Sequence, residues 1–164
     1  MHNIYRFLDT VGDGSGTHQV TGNYAAEAQI FKIQAASNQV LAIKRMIVLV
    51  EDAGTFDSGS YGNAITLTNG LILRHVNDEG TVLTLTPDPI KTNPHWAKYC
   101  YDTAISAYGS GNEHLAVRWT FTRGSGAIIL NGEKNGRIEL VANDDFSGLV
   151  AHTFMMEGIV KATL

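Results

Sequence analysis

The sequence predicts an all-β protein, an antiparallel β-sandwich of about eight strands, although a partly open barrel shares the pattern. Two observations carry this. From residue 28 onward one unit recurs, a short apolar, β-branched run followed by a Gly/Asn/Asp turn. Residues 39–50 give way to Asp52-Ala53-Gly54, 64–68 to Asn69-Gly70, 71–76 to Asn77-Asp78-Glu79-Gly80, and 127–130 to Asn131-Gly132. Runs of strand length at this spacing leave little room for helices. Second, the three prolines, Pro87, Pro89 and Pro94, cluster in one short stretch, where they stop any sheet ladder and leave the other runs free to pair.

Taken in order, residues 1–25 read as an extended N-terminal arm and residues 26–164 as a single sandwich domain. Residues 4–8 (IYRFL) suit a short strand, and VGDGSG after them forms a Gly-rich hinge with little apolar side chain to offset its ordering entropy. Such a segment either frays or docks Ile4, Tyr5, Phe7 and Leu8 onto a neighbouring subunit. Residues 28–36 alternate Phe31 and Ile33 against Lys32 and Gln34, a half-buried strand. Residues 39–52 give the strongest strand signal, apolar on both faces, which implies a strand covered on both sides or one that switches exposure along its length. Asn69-Gly70 marks a hairpin, because both residues accept positive φ. Residues 81–85 make a further short strand, and residues 95–107 (HWAKYCYDTAISA) are the only helical candidate, so at most one short helix is expected. Residues 113–123, 127–131, 136–141 and 149–164 complete the strand series.

The totals bound the function. A chain of 164 residues suits one domain, burying ~70% of its unfolded surface. The formal charge is −4, and Lys44-Arg45 is the only adjacent basic pair. No basic footprint for nucleic acid exists, so none is expected as a partner. Cys100 is the single cysteine, which rules out an intrachain disulfide and fits assembly in a reducing cytosol. No leader-like segment opens the sequence, and the longest apolar run, residues 46–50, falls far short of the ~20 residues that span a bilayer. No membrane association is expected.

Catalytic chemistry finds no footing. Ser15, Ser110, Ser125 and Ser147 each neighbour a glycine, yet none has the spacing of a nucleophile elbow, and turn glycines account for all four. Cys100 lacks an adjacent basic residue and reads as a small hydrophobe. The adjacent Asp144 and Asp145 would point to opposite sides of an extended chain, so Asn143-Asp144-Asp145 reads as turn chemistry rather than as paired acids. The six histidines show no HxH or HxxxH spacing, and Asp9, Asp13 and Ser15 lack the periodicity of a calcium loop. Neither a metal nor a cofactor is expected. Trp96, Tyr99, Tyr101 and Tyr108 gather around the proline-rich connection, where they suit a small core, a subunit interface or a sugar-stacking surface.

Residues 61–70 (YGNAITLTNG), 118–121 (RWTF) and 144–158 (DDFSGLVAHTFMMEG) resemble the small virion structural proteins of tailed bacteriophages, the decoration-type β-sandwich proteins encoded among head and neck genes. This resemblance implies a jelly-roll-like sandwich that oligomerises on a capsid or connects head to tail, and it carries no catalytic residues across. The expectation that follows is a non-enzymatic capsid decoration or cement protein, assembled in the host cytoplasm and residing in the virion. It would bind major-capsid or other virion subunits and form a homo-oligomer, a trimer by family analogy. A neck, tail-completion or fibre-adaptor role is the alternative within virions. A carbohydrate-binding module using Trp96 and its neighbouring tyrosines is the alternative outside them. In a final strand, consecutive Met155 and Met156 must point opposite ways, one into the core and one toward a possible interface.

Overall fold

The computed structural model describes residues 2–52, 67–85, 102–108, 112–121 and 126–163. Among the described residues lie ten strands: β1 (His2–Phe7), β2 (Gln29–Gln34), β3 (Gln39–Asp52), β4 (Ile72–Val76), β5 (Val82–Thr84), β6 (Asp102–Tyr108), β7 (Asn112–Thr120), β8 (Ile128–Asn131), β9 (Arg137–Ala142) and β10 (Ala151–Thr163). Every pairing between them is antiparallel. The larger sheet runs β1-β10-β3-β7-β6 with β8 also on β3, and the smaller runs β2-β9-β4-β5.

One core joins the two sheets. Phe31, Ile33, Leu73, Ile138 and Leu140 of the smaller sheet cluster with Leu41, Ile43, Met46, Val48, Leu130, Phe154 and Met156 of the larger. The alternation that marks β2 places Phe31 and Ile33 inward at 0% exposure and leaves Lys32 half-buried. In β3 the apolar character of both faces has a local cause. The register with β10 passes from Arg45↔Glu157 to Ile43↔Gly158, so Lys44 has no partner there. On the other edge β8 pairs residues 40–43 and β7 pairs residues 45–52, again skipping Lys44. This bulge flips the parity, so that Leu41 and Ile43 before it and Met46 and Val48 after it all enter the core.

Residues 102–107, the second half of the helix expected over 95–107, lie in strand β6, which is paired along its whole length with β7. Thr103, Ile105 and Tyr108 have strand propensity, and the ladder offered by β7 outweighs the weak helical signal. Trp96, Tyr99, Tyr101, Cys100 and the three prolines lie outside the described residues.

Residues 2–25 are woven into both sheets. β1 lies along β10, and Leu8 N–H donates to the Phe154 carbonyl at 2.9 Å. At Asp9 the chain crosses to the smaller sheet, exchanging backbone hydrogen bonds of 3.1 and 2.7 Å with Lys32. It returns to β10 where Val20 N–H donates to the His152 carbonyl at 2.7 Å. The Gly-rich run closes around Asp9, whose carboxylate is wholly buried and accepts the Gly12 and Gly16 amides. A carboxylate replaces the missing apolar side chains as the organiser of this loop.

Candidate functional site: the outer face and open edge of the larger sheet

Among the described residues β1 is an edge strand. Because Leu8 N–H faces β10, the antiparallel alternation turns the peptide groups of residues 2, 4 and 6 toward β10 and those of Asn3, Tyr5 and Phe7 toward the open side. The side chains divide in the same rhythm. Ile4 packs against the core and Leu8 is wholly buried within it, so Leu8 offers nothing to a neighbouring subunit; Tyr5 is 62% and Phe7 36% exposed.

Register then extends an apolar row across the outer face. Phe7 lies opposite Met155 and Met155 opposite Ile47, while Thr153 lies opposite Leu49, which is 40% exposed. One row further, Tyr5 neighbours Glu157, whose carboxylate pairs with Arg45 Nη1 at 3.3 Å. Phe7 is held in place by His18, whose ring stacks on it at 4.3 Å and 17°. Met156 is 1% exposed while Met155 is half-buried on the outer face, so the two methionines divide between core and surface. Tyr108 ends β6, the opposite edge of the same sheet from β1.

Ile47 and Leu49 were hidden as site residues in the sequence because the Lys44 bulge decides which half of β3 faces outward, whereas the Met155-Met156 pair already signalled one outward methionine. The only available signal was the excess of apolar residues on both faces of residues 39–52.

Three acids hold local structure. Asp144, 4% exposed, accepts the amides of Thr68 at 2.7 Å, Asn69 at 3.0 and 3.2 Å, and Gly70 at 2.7 Å. Gly70 holds φ of +82°, the left-handed conformation that the Asn69-Gly70 signal predicts. The expected hairpin around it needs residues 64–66, which lie outside the described residues. Asp145 accepts the Ser147 amide at 2.9 Å and hydroxyl at 2.5 Å, the turn chemistry expected between two strands. Glu139 accepts Arg74 Nε at 2.6 Å and Arg137 Nε at 2.5 Å. Burial alone would raise its pKa, but the hydrogen bonds from Arg137 and Arg74 outweigh this and hold it below the ordinary glutamate range. His152, 0% exposed between the rings of Phe146 and Phe154, is pushed by burial down to about 3. Among the described residues, no three His, Cys, Asp or Glu side chains converge where a metal ion could sit.

The site is therefore a flat, partly apolar sheet face beside an open backbone edge, an arrangement suited to gripping another polypeptide. No protein-family model, curated protein or solved structure matches the chain.

Proposed function

We propose that this chain is a non-enzymatic virion structural protein of a tailed bacteriophage, a capsid decoration protein. It would bind major-capsid subunits as a homo-oligomer through the outer face and open edge of the larger sheet. The observation that carries this reading is the Tyr5, Phe7, Met155, Ile47 and Leu49 surface beside the edge of β1, which no described residue pairs. A strand edge supplies backbone hydrogen bonds and the adjoining apolar row supplies area, which together hold a partner without a deep pocket.

A jelly-roll reading of the sandwich is supported by how the pairs nest. β4 pairs with β5, β3 with β8, β2 with β9 and β1 with β10, each pair enclosing the one before. A long hairpin rolled into two sheets gives this order. The β6–β7 hairpin then extends the larger sheet along the second half of β3.

Cosedimentation with undecorated capsids, with bound copies counted, tests the function. Saturation at many copies per capsid, lost in the Tyr5→Lys/Leu49→Lys double variant, is the expected result. Saturation at a single ring of copies would point to the neck instead. No cosedimentation at all, from protein shown to be folded, would overturn the reading.

A further inference from the structure

The outer face of the smaller sheet carries a charged cluster that the proposed function does not use. Arg74 and Arg137 each spend Nε on Glu139, one on each carboxylate oxygen, and Glu139 is 4% exposed. Both guanidinium groups are thereby pinned by one edge, leaving the Nη edge of the fork to face away from Glu139. Arg137 uses Nη1 on the Asn135 carbonyl at 3.1 Å. Arg74 makes no hydrogen bond beyond the one to Glu139 among the described residues. Lys32 flanks Glu139 from the other side, being its register partner on β2. Three cations thus surround one carboxylate, in a chain whose formal charge is −4. Asp9, next to Lys32 through backbone pairing, does not cancel this excess, since its carboxylate is turned into the Gly12 and Gly16 amides.

We propose that this face binds an acidic protein segment, whose Asp or Glu carboxylates dock on Arg74, Arg137 and Lys32, with Glu139 as the positioning residue that presets both forks. A guanidinium fixed in its plane takes a carboxylate with less ordering cost than a free one, through both Nη atoms at Arg74 and chiefly through Nη2 at Arg137, whose Nη1 is on the Asn135 carbonyl. The pitch favours an extended chain over a compact ion. Arg137 lies two residues from Glu139 on β9, so its row follows the Lys32–Glu139–Arg74 row at the ~6.8 Å repeat of one strand face. Carboxylates at alternate positions of an extended peptide recur at the same interval. Beside them, Thr10, Gln29 and Gln34 line a shallow depression of about 390 Å³, supplying hydroxyl and amide groups for the peptide backbone. The acidic balance of the whole chain opposes a continuous polyanion such as nucleic acid.

Titration of the full chain with a peptide of alternating Glu and Ser, at low ionic strength and followed by amide NMR shifts, tests this. Saturable shifts confined to β2, β4 and β9 are expected, with affinity falling about tenfold in Arg74→Gln/Arg137→Gln and about threefold in Lys32→Gln. Lys32 is peripheral to the Glu139 hydrogen bonds, so its variant reads binding even if the arginine pair is needed for folding. Glu139→Gln separates positioning from simple attraction. It raises the positive charge yet releases the forks, and weaker binding is expected. Tighter binding by Glu139→Gln, no saturable shift, or a stronger response to inorganic sulfate or a thymidine oligonucleotide would each overturn the proposal. The experiment needs no capsid, so its failure and that of the decoration reading are separable.

Discussion

His152 and Asp144 show how far single buried polar groups shape this molecule. Burial holds His152 neutral with a pKa pushed down to about 3, against about 6.5 in an unfolded chain. Between those values the unfolded state binds the extra proton, so acidification favours unfolding, and stability conferred by the neutral ring above pH 6.5 drains away as pH falls. Urea unfolding at pH 7.5 and pH 5, above the carboxylate range, checks it. The wild type is expected to lose on the order of 2 kcal/mol across that interval, and His152→Phe much less. Asp144→Asn puts an NH₂ group where an oxygen now accepts the Thr68, Asn69 or Gly70 amides. Loss of about 2–3 kcal/mol is expected from denaturant midpoints. The positive φ of Gly70 and the turn at Asn143-Asp144-Asp145 were each legible from their residues. Their meeting was not, because some seventy residues separate them and only the fold closes that distance.

At the scale of elements, strands were legible wherever one face stayed apolar at period two. Residues 28–36 became β2 and residues 39–52 became β3 with its ends unchanged. The misreading over 102–107 came from residues with no periodic commitment, where the β7 ladder made the choice. Bulges left no trace in composition, since Lys44 looks like any surface lysine. Gly158 sits at the matching irregularity of β10, and a Cβ there would lie 2.5 Å from the Ala42 carbonyl oxygen on β3. Backbone cannot yield as a side-chain tip does. Gly158→Ala is expected to cost about 1–3 kcal/mol, seen as a lower urea midpoint with an unchanged m-value. The outer-face sites depend on register, a quantity that local pattern does not contain.

Across the whole molecule, the N-terminal segment is a clasp between the sheets rather than an appendage. Removing residues 1–16 strips β1 from β10, takes Leu8 out of the core and deletes the Asp9 loop. A loss of at least about 3 kcal/mol is expected, and a melting temperature equal to that of the full chain would refute it. The nested pairing also governs when the protein can fold. β10 lies between β1 and β3, so among the described residues β1 has no strand neighbour, and β3 lacks the neighbour on one of its two edges, until β10 leaves the ribosome. The β4–β5 and β6–β7 hairpins close locally, whereas the β1 side of the larger sheet must wait for β10. Until then one edge of β3 stays unpaired during synthesis, an exposure that favours chaperone engagement and ties yield to how quickly β10 slots into place.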